Sequence, residues 1–251
     1  MIYWHMCPAH DCTGNGATRP DFLSDSEHKT YQALRFPKRR HEWLLGRWTA
    51  KQLLRHSLAS YEGLPLVAIS VATDPDGAPY LTVEGEGRLP VSLSISHRAG
   101  RAVCALSPAA SPSIGVDLER VEKRSPAFVN DFFTSSEAER VWSCPAPLQD
   151  TLVTVIWSAK EAVLKALREG LRLDTRTVEI AHVSELEDGT YTTAVDASVR
   201  PHLALQRVGN GLSDEQWHPV AISCSVPGVL RLAAWWRPDG DSVLTAAAVW
   251  P

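Results

Sequence analysis

Between Val91 and Ser96 the chain alternates without a break, with Val91, Leu93 and Ile95 on one side and Ser92, Ser94 and Ser96 on the other. Period-two alternation commits this stretch to a strand whose two faces meet different surroundings. His97 stands at the strand end, Arg98-Ala99-Gly100-Arg101 reads as a hairpin turn, and Ala102 to Leu106 as the returning strand. Something must cover the apolar face. A helical stretch from about Lys38 to about Ser60 offers Leu44, Leu45, Trp48, Leu54 and Leu58, with Arg40, Arg47 and Lys51 spaced to share one face. The clearest helix runs from Val155 to Glu169, with Lys165 and Arg168 in its last turn and Gly170 where a C-terminal cap belongs. Ser24 with Glu27, and Thr134 with Glu137, are spaced as capping boxes at helix entrances. A helix with Phe128, Phe132 and Phe133 precedes the second box, and Gly77-Ala78-Pro79-Tyr80 marks a turn. Further strands are expected from Ile114 and near Val178–His182, Val220–Ser225, Leu230–Trp236 and Ser242–Val249. Strands and helices in no regular β-α-β order predict an α+β fold. The Pro- and Ser-rich stretch Ser107–Ser113 is the candidate hinge, dividing 1–110 from 111–251.

At 251 residues and 44% hydrophobic the chain can bury a real core, and its net charge of −4 gives no global electrostatic case for nucleic acid. No apolar run approaches the roughly 20 residues that cross a bilayer, and Met1 to Cys12 lacks the pattern of a secretory signal. Five scattered cysteines read as reduced thiols, so a cytoplasmic protein is expected. Cys7, His10 and Cys12 sit close together, but their spacing matches no closed set of four zinc ligands. With Pro8, Gly14 and Gly16 nearby they read as a surface loop.

Three segments carry chemistry. In Gly115-Val116-Asp117-Leu118-Glu119, a strand would turn Val116 and Leu118 to the core and both acids the other way. The acids' Cα atoms would lie about 6.5 Å apart, close enough to share one cation. The commoner reading of such a pair is acids on a wet strand face. Trp157, Glu161 and Lys165 recur every fourth residue and stack on one helix face. Glu161 and Lys165 then form either an exposed ion pair worth a few tenths of a kcal/mol, or a metal ligand and a phosphate ligand; the helix alone leaves both open. Ser96-His97 at a strand end completes the set. A lone histidine is more often structural, yet together these residues offer acids for a hard cation and Lys, His and Ser for phosphate oxygens. That is equipment for displacement at a pyrophosphate.

In this order the segments resemble the 4′-phosphopantetheinyl transferase superfamily, of the stand-alone surfactin-synthetase-activating type. The resemblance rests on Leu93-Ser94-Ile95-Ser96-His97, on Gly115-Val116-Asp117-Leu118-Glu119, and on Trp157-Ser158-x-Lys160-Glu161-Ala162-x-x-Lys165-Ala166 followed by Gly170-Leu171. Arg39-Arg40-x-x-Trp43-Leu44-x-Gly46-Arg47, Gly77-x-Pro79-Tyr80, and Phe132-Phe133 with Glu137 also fit, so it covers roughly Leu23 to Leu173. It implies two similar α+β subdomains related by a pseudo-twofold, with coenzyme A in the cleft between them. It implies Mg²⁺-dependent transfer of 4′-phosphopantetheine from coenzyme A to a serine of an apo acyl, polyketide or peptidyl carrier protein, releasing 3′,5′-ADP. Asp117, Glu119 and Glu161 would hold Mg²⁺. Glu161 and Lys165 would be catalytic, with Glu161 or a metal-bound water beside it taking the serine proton. Arg39, Arg47, Ser96, His97, Asp117 and Lys165 would bind coenzyme A, His97 facing the 3′-phosphate.

The carrier would dock beside Phe132–Glu137, on a patch of Lys123, Arg124, Phe128, Phe132 and Phe133. A monomer is expected, with neither nucleic acid nor membrane as partner. Two departures stand out. Ala78 occupies a position where many relatives carry lysine, a contact that Arg98 could replace, and the tail from about Val226 to Pro251 matches no family motif. The rival readings are a non-catalytic coenzyme A-binding module and a metal-dependent phosphohydrolase.

Overall fold

The structure, a computed structural model, describes residues 1–8, 20–108, 112–186, 205–208, 216–229 and 231–250. His10 and Cys12 of the cysteine–histidine loop, and 109–111 of the candidate hinge, lie outside the described residues. The chain divides into two compact units, Met1–Ser111 with Ala204–Ser213, and Pro112–Leu203 with Asp214–Pro251. Helices and mostly antiparallel sheets make each of them α+β. Among the described residues no helix is long and apolar enough to cross a membrane.

In the first unit, strands β1 (Ile2–Pro8), β5 (Val91–Arg98), β6 (Arg101–Pro108) and β9 (Leu205–Arg207) form one sheet in the order β5-β6-β1-β9. The expected hairpin is there, turning through Ala99 and Gly100, both at positive φ. Strands β2 (Ile69–Thr73), β3 (Pro79–Val83) and β4 (Gly87–Arg88) form a second sheet. Helix α1 (Asp25–Ala33) opens with the Ser24/Glu27 capping box, and α2 (Pro37–Ser57) has its proline in the first turn, where the missing N–H costs nothing. Helix α2 packs Ala50, Leu53 and Leu54 against Ile69, Val71, Leu81, Leu93 and Leu106. Leu53 and Leu54 are fully buried, each contributing about 2 kcal/mol. The serine side of β5 is not wet, because Ser94 and Ser96 are buried as well.

In the second unit, β7 (Ser113–Arg120), β8 (Val178–Val183), β10 (His218–Cys224), β11 (Arg231–Asp239) and β12 (Ser242–Trp250) form one sheet in the order β7-β12-β11-β10-β8. Helices α3 (Pro126–Phe132), α4 (Ser135–Ser143) and α5 (Ala146–Ala166) accompany it, and α4 opens with the Thr134/Glu137 capping box. Helix α5 lies on the sheet through Val155, Ile156, Ala159, Ala162 and Val163, packed in one cluster with Val178, Ile180 and Ala247. It begins nine residues before Val155, because the apolar pattern continues back through Leu152 to a proline-led first turn. It ends at Ala166, before Gly170. Arg168 takes the left-handed conformation (φ 63°), Glu169 N–H bonds Leu164 O, and Arg168 N–H bonds Lys165 O. That is a Schellman closure with arginine where glycine usually sits.

One expectation holds only in part. The acids of β7 do not lie on the face away from the core, because α5 covers the face that carries Gly115 and Asp117. A Cβ built on Gly115 would come within 1.7 Å of Ala162 O. Only glycine permits helix and strand to approach so closely. Val116 and Leu118, on the opposite face, are buried too.

Candidate functional site

The close approach of α5 to β7 carries Glu161 and Lys165 to the acids of the strand. One carboxylate oxygen from each of Asp117, Glu119 and Glu161 lies within 4.8 Å of the other two. Asp117 is buried, 2% exposed. Its Oδ1 accepts from Lys165 Nζ at 2.7 Å, and its Oδ2 accepts from Ser158 Oγ at 2.8 Å. Beneath it, Thr245 Oγ1 on β12 donates to Ser158 O at 2.9 Å, so the aspartate stands on a buried hydroxyl pair joining strand and helix. Lys165 Nζ also donates to Val116 O at 3.1 Å. The lysine therefore crosses to the strand and neutralises an acid there, which separates it from the surface ion pair that the spacing also allowed.

Glu119 lies further out, 3.3 Å from Arg124 Nη2. That arginine also pairs with Glu122 at 3.3 Å and lies over the Phe128 ring. Phe128 and Phe132 stack edge-on against Trp157 at about 5 Å, and Phe133 turns into the core. Burial and the neighbouring Asp117 charge push the Glu161 carboxyl up to about 7, against the pull of Lys165. Two acids crowded on a half-buried third is the strain that a cation relieves. The donors are all oxygens, partly desolvated and converging, and none is soft. The set fits a hard dication such as Mg²⁺.

The remaining expected site residues belong to the first unit. Arg39 and Arg47 are on α2, Ser96 and His97 on β5. Ser96 is buried and His97 half-buried, while Arg39 is exposed. Arg47 lies over the Trp43 ring at 4.0 Å, and burial lowers its pKa to about 10 despite the raising influence of Glu27. Its Nε is buried with no hydrogen-bond partner among the described residues.

Sequence reasoning missed Ser158, Thr245 and Arg124 as neighbours of the acids. The signal for Ser158 was present, one turn before Glu161 on α5. Nothing local marks Thr245, which reaches the site only through the pairing of β12 with β7 opposite Asp117.

Residues 113–220 match the 4′-phosphopantetheinyl transferase superfamily. The 4′-phosphopantetheinyl transferase psf-1 of Bacillus pumilus is 26% identical over 151 residues, which are 60% of this chain and 60% of that protein. The 4′-phosphopantetheinyl transferase HetI of a Nostoc species is 27% identical over 151 residues, 59% of this chain and 61% of that one. The chain thus spans about three fifths of the length of these curated relatives. Among solved structures, a Helicobacter pylori holo-[acyl-carrier-protein] synthase in complex with coenzyme A is 21% identical with a TM-score of 0.34, over 42% of this chain and 97% of that one.

Proposed function

We propose, from the match of residues 113–220 to the 4′-phosphopantetheinyl transferase superfamily, that this chain transfers the 4′-phosphopantetheinyl arm of coenzyme A to a serine of an apo acyl, polyketide or peptidyl carrier protein. The observation that carries this reading is the meeting of Asp117, Glu119 and Glu161 within 4.8 Å, with Lys165 held beside them by Asp117. Asp117, Glu119 and Glu161 would hold Mg²⁺. When bound, the cation supplies positive charge against the charge that develops on a cleaved pyrophosphate.

The chain's own residues do the rest. The serine oxygen attacks the phosphorus nearest the pantetheine arm, the bond to the bridging oxygen breaks, and 3′,5′-ADP leaves. Lys165, 29% exposed at its side chain, can turn its ammonium to the transferring phosphoryl oxygens and steady their charge. Glu161 is the acceptor this reading gives the serine proton. On the first unit, Ser96, His97, Arg39 and Arg47 are assigned the coenzyme A phosphates. The desolvated guanidinium of Arg47, whose Nε has no partner among the described residues, suits an anion. The half-buried rings of Phe128 and Phe132, flanked by exposed Lys123, are given the carrier, because carriers are acidic and need an apolar or basic patch on an acidic enzyme.

Incubation with coenzyme A, Mg²⁺ and a panel of apo-carriers, read by intact mass, tests the whole reading. A carrier gaining the phosphopantetheine mass, losing the gain in chelator and regaining it with added Mg²⁺, is the expected result. Coenzyme A bound without product on any carrier points instead to a binding module. Release of 3′,5′-ADP without a carrier points to a phosphohydrolase.

A further inference from the structure

Lys160, next to Glu161 on α5, has no part in the site. Its side chain is fully buried. Its Nζ meets Glu137 Oε2 at 2.9 Å, where both partners are 0% exposed. The ammonium also donates to Val178 O at the start of β8 and, at 3.0 Å, to Thr175 O in the 3-10 turn before it. Glu137 is equally committed. Its Oε2 accepts from Thr134 N–H at 2.7 Å, closing the capping box of α4, and its Oε1 accepts from Ile180 N–H at 2.7 Å. One ion pair thus ties α5, α4 and β8 together through five polar contacts in a dry interior.

We propose that the Glu137–Lys160 pair is a positioning device for the metal centre, fixing the rotation of α5 so that Glu161 meets Asp117 and Glu119. This rests on the metal reading of those acids given above. Successive helical residues point about 100° apart, so once Lys160 is anchored toward β8 the direction of Glu161 is set. Gly115 fixes the other coordinate, because the contact at Ala162 O sets how close α5 comes to β7. Stability alone does not account for the pair. An apolar pair of similar size would hold the same elements together at comparable or better stability, but it would not specify one rotation.

The chain contains its own control. In the first unit Lys51 is fully buried on α2 and meets Glu27 Oε2 at 2.5 Å. Lys51 also donates to Leu66 O, and Glu27 closes the capping box of α1 and accepts from Val71 N–H at 2.9 Å. This pair has the same partners in kind, and among the described residues no acid cluster lies beside it.

The test compares two double variants, Glu137→Gln with Lys160→Met and Glu27→Gln with Lys51→Met. Each deletes both charges and keeps an acceptor for the strand N–H. Thermal melting and Mn²⁺ affinity by titration calorimetry are measured on both variants and on the unaltered chain. Both variants are expected to melt lower. Only the Glu137/Lys160 variant should bind Mn²⁺ more weakly, by about 10-fold to 100-fold, the usual effect of removing an outer support of metal ligands. Affinity within about twofold of the unaltered chain, or an equal loss in the Glu27/Lys51 control, overturns the proposal. If the double variant does not fold, Glu137→Gln alone is read in the same way. An unaltered chain that takes up no Mn²⁺ overturns the metal reading itself, and the inference with it. Uptake by the unaltered chain with no loss in the variant overturns the inference alone.

Discussion

The two units share a frame. In each, a capping-box glutamate reaches a buried lysine on a 21-residue helix. The matched positions keep register: Lys51 to Leu66 and Lys160 to Thr175 are each fifteen residues apart, and Lys51 to Val71 and Lys160 to Ile180 each twenty. The strand pairings agree as well. His5 lies opposite Cys104 on β6 as Asp117 lies opposite Thr245 on β12, each three residues past a hairpin return. Carried across that register, Asp117, Glu119, Glu161 and Lys165 correspond to His5, Cys7, Gln52 and His56. The first unit therefore has the same scaffold without the carboxylates. His5 Nδ1 bonds Val208 O at 2.7 Å and its Nε2 meets Cys7 Sγ at 3.0 Å, nitrogen and sulfur where a hard cation needs oxygen. The difference teaches that the pin and the sheet are common to both units, and that the acids stand only where helix and strand come closest.

The approach itself differs. Gly115 corresponds in register to Tyr3, since each lies opposite the sixth residue of its partner strand. Tyr3 packs its ring against the cluster of Ala50, Leu53 and Leu54, filling the space that Gly115 leaves to the Ala162 carbonyl.

The most severe break in the comparison is Glu161→Ala, which removes the one helix-borne carboxylate of the cluster. Transfer should fall below detection and Mn²⁺ uptake should be lost, with melting in chelator at about pH 5 close to that of the unaltered chain. A near-normal rate removes Glu161 from the metal centre. Lys165→Ala should leave metal uptake in place and slow transfer by about 100-fold. Unchanged kinetics reduce Lys165 to a partner of Asp117.

Next in size is Gly115→Ala. Its methyl would sit 1.7 Å from the Ala162 carbonyl, so α5 must move off the strand. We expect at least about 3 kcal/mol of lost stability and, in whatever folds, weakened metal uptake. Gly46→Ala on α2 is the comparison glycine of the first unit, where the added Cβ meets only the Ile95 side chain at 3.2 Å. That clash is small and the helix gains from alanine, so the change should stay within about 1 kcal/mol of zero. Equal costs at the two glycines would show that the close approach is not peculiar to the second unit.

Much of this was legible in the sequence. Both capping boxes are local, three residues end to end, and both formed. The hairpin after Val91 and the four late strands followed from alternation and turn residues. The acid cluster was legible only through two segments 41 residues apart whose residue types suit one cation, Asp117 and Ser158 now being in contact. What stayed hidden is what depends on register between distant segments. A strand of alternating residues does not say which face a helix will cover, and β7 is covered on the acid side. Nor could Lys160 be told from a surface lysine, because its three partners lie 15, 18 and 23 residues away.

The pH response sharpens the contrast at smaller cost. Glu161 is held near 7 in the folded chain and returns to about 4.5 on unfolding. Below the lower value both states are protonated and nothing is lost. Between the two, the folded chain keeps a proton the unfolded chain releases, so stability falls as pH rises and levels off above the upper value. Glu161→Gln abolishes that step. Its melting temperature in chelator, relative to the unaltered chain, should rise between about pH 5 and about pH 7 and then stay flat. A difference constant across that range sinks the assignment. Gln52→Ala, the counterpart on α2, should show no such step.

The smallest effect lies where the two long helices end. Helix α2 closes at Leu58 in an extended conformation, its N–H on Leu54 O, and needs no left-handed residue. Helix α5 closes through Arg168 at φ 63°, a conformation that costs a β-carbon about 1 kcal/mol. Arg168→Gly keeps the bonds from Glu169 N–H to Leu164 O and from Arg168 N–H to Lys165 O, which are made by backbone. It relieves the left-handed strain, against the added entropy of glycine in the unfolded chain. We expect a gain of about 0.5–1 kcal/mol by denaturant unfolding, with Mn²⁺ affinity unchanged because the last turn stays closed around Lys165. A loss of stability would mean that the Arg168 side chain, and not the backbone closure, holds the end of α5.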